Sequence, residues 1–284
     1  MKKGLVLEGG GMRGLFTTGV MDVMMEHGIR FDGIVGVSAG ATFGCNYKSH
    51  QPGRVLRYNV RFKDDPRYMG LRSLLRTGNL VGAEFSYHTL PQELDVFDAE
   101  TFCSDPAEFH IVCTDVETGE PVYHRIDEID DEAFDWIRAS ASMPLVSRPV
   151  NLDGRLLLDG GISDSIPLRY FQALGFGRNI VILTQPKGFF KKKTKLMPLF
   201  HLFMRRYPAI IRAMARRHLM YNDELSYLAE QERQGSILLI YPQETLPIGR
   251  TEQDEQKMRR VYAMGRAKAE EMLQEIETFI MQKE

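Results

Sequence analysis

The sequence predicts an α/β layered domain with a mainly parallel central sheet, on three observations. Short apolar runs near residues 4–7, 34–37, 179–184 and 236–241 read as buried strands. Between them lie stretches whose apolar residues recur every three or four positions, as helices covering a sheet require. Two turns from run to stretch are rich in glycine, at residues 9–14 and 36–40. The 284 residues are 43% hydrophobic and 26% charged, enough to bury the core of one large domain or two small ones, and a single domain over residues 1–284 is the reading adopted.

Several classes are excluded at once. Cys45, Cys103 and Cys113 are odd in number and lack C-x-x-C spacing, which argues against a disulfide framework or a zinc site and suits a reduced, cytoplasmic setting. The amino-terminal run reaches Glu8 and three glycines too soon for a signal peptide. No stretch of about 18 apolar residues is present to span a membrane.

In chain order, the strand at residues 4–7 leads into Gly9, Gly10, Gly11, Met12, Arg13 and Gly14, then a helix to about His27 with Phe16, Val20, Val23 and Met24 on its packed face. A glycine-rich loop between strand and helix turns several N–H groups toward one point, where a phosphate or the oxyanion of an acyl-transfer intermediate binds. Gly9, Gly11 and Gly14 also fit the dinucleotide fingerprint G-x-G-x-x-G. That reading needs an acid at the end of the second strand, but Asp32 precedes this strand and Ser38 ends it. The oxyanion reading is favoured. Gly36, Ser38 and Gly40 fit G-x-S-x-G, a sharp strand-to-helix turn that exposes a serine hydroxyl. Small residues follow at Ala39, Ala41 and Gly44, as close backbone approach demands.

Residues 50–105 carry helical periodicity broken at Pro66, Gly78 and Pro91, a pattern that fits either a helical cap over the site or plain core helices. Residues 109–114 and 121–125 read as two strands joined across Thr118 and Gly119. The acidic run from Asp127 to Glu132 suits a helix start better than a calcium site, whose spacing it lacks. Residues 151–158 form a second hairpin turning at Asp153 and Gly154, and its return strand delivers Asp159 behind three leucines. Desolvation there raises the proton affinity of the carboxyl, making it a better base than a free aspartate near pKa ~3.9.

The blocks at residues 9–14 and 36–40, Asp159-Gly160-Gly161, and Ala139-Ser140-Ala141-Ser142-Met143-Pro144 together resemble the patatin-like phospholipase family. The resemblance implies a three-layer α/β/α hydrolase acting on lipid ester substrates, with Ser38 as nucleophile and Asp159 as its direct partner. It further implies an oxyanion hole of backbone N–H groups within residues 9–14, centred on Gly10, Gly11 and Met12, with Arg13 ordering the loop. No metal or organic cofactor is implied. Gly36, Gly40, Gly160 and Gly161 support the two turns. Ser147 stands where many family members carry an aromatic residue, so the acyl pocket is expected to differ. A histidine triad using His201 or His218 is the rival, but both lie in an arginine-rich stretch without motif and read as surface residues.

From Ser165 to Asn222 the chain has twelve Lys or Arg and no Asp or Glu, although its net charge is −2. Within the segment of residues 186–220, the stretch from Lys187 to Arg217 interleaves these cations with phenylalanine, leucine and isoleucine. That pattern fits either peripheral contact with an anionic membrane, at the inner membrane surface, or a core helix with a basic face. No nucleic-acid module is recognisable and the remainder is acidic, so nucleic acid is not expected as a partner. A last helix from about Glu252 to Gln282 is expected to close the fold against the sheet. Besides lipid acyl hydrolysis, two alternatives follow: a nucleotide-binding protein using the glycine loop, or a catalytically inactive membrane-binding module.

Overall fold

The computed structural model describes residues 1–281. Its strands are β1 (Lys3–Leu7), β2 (Gly33–Val37), β3 (Glu108–Asp115), β4 (Pro121–Ile126), β5 (Val150–Leu152), β6 (Arg155–Asp159), β7 (Arg178–Ile182) and β8 (Ile237–Ile240), all in one sheet. The run β3-β2-β1-β7-β8 is parallel, and β4, β5 and β6 add antiparallel pairings beyond β3. The mainly parallel sheet is as expected, and so is its cause. Strands covered on both faces must be apolar on both: Leu5 and Leu7 enter one core cluster, Val6 between them enters the other.

Helices α1 (Gly14–Glu26), α2 (Ala39–Lys48), α3 (Arg54–Arg61), α4 (Leu71–Thr77), α5 (Ala99–Ser104), α6 (Asp131–Ser140), α7 (Leu168–Ala173), α8 (Met197–Phe203), α9 (Pro208–Arg233) and α10 (Glu255–Met281) complete the layers. The larger core cluster joins one face of the sheet to α1, α2, α6 and α10 and to residues of the 50–105 segment. A second cluster joins the opposite face to α7 and α9, and a third packs Val116, Leu158 and Ile162 against α8 and α9. Both hairpins form as read, with Asp153 and Gly154 at φ 51° and 71° in the turn between β5 and β6. Asp130 caps α6 by accepting the Ala133 N–H at 2.8 Å, the role expected of the acidic run.

Two expectations change. Pro91 does not break a helix: residues Phe85–Leu94 form a π-helix through it, in which the wider turn accommodates a residue that has no N–H for an α-helical bond. The last helix, α10, packs chiefly along α1 and reaches the sheet at β8 and, through Arg178, at β7. Backbones meet there so closely that a Cβ on Gly19 would lie 2.2 Å from Tyr262 O, and one on Gly265 2.0 Å from Phe16 O. Tyr262 donates to Asp22 at 2.7 Å and Arg266 grips Glu26 with two nitrogens, fixing the register of the pair. The expected end of this helix at Gln282 lies outside the described residues.

Candidate active site

Strand register alone brings residues 38 and 159 together. β4 occupies one edge of β3 along Phe109–Thr114. β2 pairs with the other edge up to Val37 opposite Val112, and β6 takes over that edge from Asp159 opposite Cys113. The two strands therefore meet end to end, one leaving at Ser38 and the other arriving at Asp159. Gly36 and Gly40 are required by the elbow, since a Cβ on either would stand 2.4 Å from a backbone oxygen, of Gly40 and Leu7 respectively. Gly160 answers the same demand on the β6 side, with a Cβ falling 2.1 Å from Val112 O.

Ser38 sits at φ 54°, ψ −121°, a strained conformation for a residue with a side chain, held by its neighbours. Its N–H donates to Ser140 Oγ at 3.1 Å, and that hydroxyl donates to Val112 O at 2.6 Å. Ser142 O accepts the Asp159 N–H at 2.9 Å. The block at residues 139–144 thus laces the junction of β2, β3 and β6, a task no reading of its sequence pattern assigned.

Asp159 is buried, and its Oδ1 accepts the Gly161 N–H at 2.8 Å while Oδ2 has no formed hydrogen bond. Burial raises its proton affinity above the ordinary carboxyl value. The nearby Ser38 hydroxyl, Arg217 and the Gly161 N–H pull against that rise without cancelling it. The Ser38 hydroxyl thus acts on the carboxyl while Oδ2 still awaits a completed bond, a looseness common in unliganded catalytic pairs.

The glycine loop lies alongside. Gly9 stands against the elbow, where a Cβ would be 2.9 Å from Ser38 Cβ, and Gly10 packs on Thr184. Gly11, at φ 58°, opens a short 3-10 turn through Arg13. Two N–H groups of the loop are committed elsewhere. Met12 donates to Arg250 O at 3.0 Å, and Gly14 donates back to Gly11 O and Met12 O as α1 begins. The Met12 N–H, expected at the centre of an oxyanion hole, is thus occupied by a loop from the carboxyl-terminal half, and the Gly14 N–H by its own turn. No protein acceptor takes the Gly10 or Gly11 N–H among the described residues. Asp32, the acid that precedes the second strand, accepts the Lys3 N–H at 2.7 Å at the opposite end of the sheet, far from a nucleotide on this loop.

Of the three cavities that Ser38 lines, two bear on the chemistry. One, with about 910 Å³ of empty space including its mouth, is walled by apolar and aromatic residues such as Tyr58, Met69, Tyr87, Leu90, Phe97 and Phe134. Tyr58, Met69, Tyr87, Leu90 and Phe97 of the 50–105 segment belong to the main core cluster and also line this cavity. The other, about 440 Å³, is polar and is bounded by Glu8, Asp159, Lys191, Arg217, Tyr221 and Arg250. His201 is exposed as expected. His218 is half-buried and lines the cleft before Ser38, its Nδ1 without a partner. No hydrogen bond joins either imidazole to Ser38 or Asp159 among the described residues.

A mainly parallel sheet between helical layers, with a serine elbow facing a buried aspartate beside a glycine loop, defines a class of α/β/α hydrolase-like proteins. The family model described as "Patatin-like phospholipase" matches residues 5–171, and the chain belongs to the patatin-like phospholipase family. A second model, "Domain of unknown function (DUF6363)", matches residues 207–281. An uncharacterised Escherichia coli K12 protein, YjjU, is 32% identical over 64% of this chain and 52% of its own length. An uncharacterised NTE family protein of Mycobacterium bovis is 32% identical over 58% of this chain and 44% of its own. Lysophospholipase nte1 of Aspergillus oryzae is 28% identical over 61% of this chain and 11% of its own. The matches therefore span about half the length of the bacterial relatives and about a tenth of the fungal one. Among the described residues no helix is long and apolar enough to cross a membrane.

Proposed function

We propose that the chain is a serine acyl hydrolase of lipid carboxyl esters, of phospholipase or lysophospholipase type, working through a Ser38–Asp159 dyad. The observation that supports it most is the end-to-end meeting of β2 and β6 on β3, which sets a strained serine against a desolvated carboxylate. Asp159 Oδ2 takes the proton as Ser38 Oγ attacks the ester carbonyl. The developing oxyanion faces the free N–H groups of Gly10 and Gly11, where losing one donor typically costs about 2.7–4 kcal/mol. Collapse returns the proton to the leaving alcohol, and a water activated by the same carboxylate then releases the acid from Ser38. The acyl chain occupies the apolar cavity walled by the 50–105 segment.

The reading extends to where the enzyme meets its substrate. Phe200, Met204, Ile210 and Met214 are core, whereas Phe190, Leu196, Leu202 and Phe203 are at least half exposed. They stand among Lys192, Lys193, Lys195, Arg205 and Arg206, all exposed, and Lys192 and Leu196 reach the cleft before Ser38. An anionic bilayer is the surface this face fits.

A fluorophosphonate probe tests the chemistry. Wild type should label, Ser38→Ala should not, and Asp159→Asn should label at least a hundredfold more slowly. Equal labelling of wild type and Ser38→Ala would overturn the proposal.

A further inference from the structure

The apolar cavity runs along one face of α2, where Ser38, Thr42 and Cys45 line it at positions i, i+4 and i+7. At a rise of about 1.5 Å per residue Cys45 lies about 10 Å beyond Ser38, so the cavity has an outer end at the elbow and an inner end by Cys45. The inner end is not wholly apolar. Arg54 reaches it, donating to Asn46 Oδ1 at 2.9 Å, and the Arg54 guanidinium lies 5.4 Å from the centre of the Tyr58 ring. Nearly every polar group there is used. Arg54 also donates to Asp95 O and faces Asp95 Oδ1 at 3.2 Å. Tyr68 donates to Asn59 Oδ1 at 2.7 Å, and Asn59 Nδ2 to Val55 O at 2.8 Å. Tyr87 shares a bond with the Thr42 side chain. Tyr58 is the exception: it is 6% exposed, and its hydroxyl makes no hydrogen bond among the described residues. Trp136 Nε1 and Thr17 Oγ1 are unpartnered too, but they are sealed in protein, whereas the Tyr58 oxygen keeps open surface in the cavity that Tyr58 lines.

A chain of plain methylenes entering this cavity would strip water from the Tyr58 hydroxyl and leave it unpaired. A chain with an oxygen of its own would satisfy it. We propose that Tyr58 selects the acyl portion of the ester, favouring a chain that carries a hydroxyl roughly eight carbons from its carbonyl. Extended C–C bonds of about 1.5 Å cover the ~10 Å from Ser38 to the inner end in about that number of carbons. A neutral hydroxyl fits there and a terminal carboxylate does not. Arg54, the cation at this end, already has Asp95, and Asp95 is gripped again by Arg57 through two bonds of 2.8 Å. Burial raises the Tyr58 pKa well above the ordinary phenol value, so its O–H is present to donate at neutral pH. The selectivity rests on the hydrolase reading for its link to turnover and not for binding.

Matched esters test it. In wild type, kcat/KM for p-nitrophenyl ω-hydroxyoctanoate, with its hydroxyl on the eighth carbon, should at least equal that for p-nitrophenyl octanoate, although a hydroxyl ordinarily disfavours entry into an apolar cavity. Tyr58→Phe, which removes one oxygen, should lower the ratio of the two at least fivefold, chiefly through KM, and circular dichroism checks its fold. The ratio of the α-hydroxyoctanoate to the octanoate should not follow, because that hydroxyl lies at Ser38 rather than at Tyr58. In the Ser38→Ala protein, methyl ω-hydroxyoctanoate should displace a fluorescent fatty-acid probe at least fivefold more weakly once Tyr58→Phe is added. A wild-type preference for the plain ester overturns the proposal, and this comparison stands even where the variant fails to fold. A ratio that falls less than fivefold in folded Tyr58→Phe also overturns it and leaves the hydroxyl to water. An equal fall for the α-hydroxy ester does so too, since it moves the contact away from the inner end. Tyr58-sensitive binding without hydrolysis of either ester would sink the hydrolase reading and leave the acyl-chain site standing.

Discussion

At the scale of single residues, Ser140 holds the backbone on which the proposed dyad rests. Its fully buried hydroxyl joins the Ser38 N–H to Val112 O. Ser140→Ala should lower kcat by about ten- to a hundredfold with little change in KM, because a misplaced nucleophile loses near-attack geometry. Chemical denaturation should show a cost of about 1–3 kcal/mol for the polar groups left unpaired. Asp159 titrates in the opposite sense to a salt-bridged carboxylate. Its folded pKa is raised, so kcat/KM should fall as the pH drops through a value above the ordinary carboxyl range. No separate imidazole limb near pH ~6.5 is expected, and a limb moved by His218→Gln would assign it to histidine. The same burial costs stability once the group ionises. Asp159→Asn should therefore melt higher than wild type at alkaline pH, and the gain should vanish below the unfolded carboxyl value, where both states hold the proton.

At the scale of elements, two contacts decide how the helices dock. On α9, Glu224 lies beside Asp164, and its pKa is raised to about 9 by burial and by that neighbour. Tyr123 donates to Asp164 at 2.8 Å and Ser165 N–H to Glu224 at 3.0 Å. The raised value means the protonated pair favours folding fully below the unfolded carboxyl pKa, and this contribution is lost as pH rises through about 9. A thermal melt series from about pH 6 to pH 10 should show a shallower decline in Glu224→Gln than in wild type. On α10, Gly265→Ala should destabilise by about 1–3 kcal/mol, despite alanine's better helix propensity, because the added carbon meets Phe16 O across the crossing with α1.

At the scale of the whole molecule, residues 207–281 are an integral part of the fold. Tyr221 and Leu228 belong to one core cluster and Val261 and Ile276 to the other, and Arg250 O holds the Met12 N–H. A fragment ending before α9 should lack cooperative unfolding by circular dichroism. A native-like melt of such a fragment would contradict this. Vesicle flotation addresses the basic face: binding to anionic vesicles should weaken at least fivefold when Phe190 and Phe203 are both replaced by serine, and should fall with added salt.

The sequence by itself determined the alternation of strands and helices, the elbow at Ser38 and the glycine loop, because each is a local pattern whose sterics act within a few residues. Asp159 was legible as a desolvated carboxyl behind three leucines, but its place opposite Ser38 came from resemblance. Only strand register, with β6 following β2 along β3, supplies the physical reason. Tertiary structure alone decided that Met12 donates to Arg250, that Ser140 ties the elbow, that Pro91 lies inside a helix, and that Lys191, Arg217 and Arg250 share a cavity. Such contacts join positions tens to hundreds of residues apart, and no periodicity in a chain encodes which distant groups the packing of its layers will bring face to face.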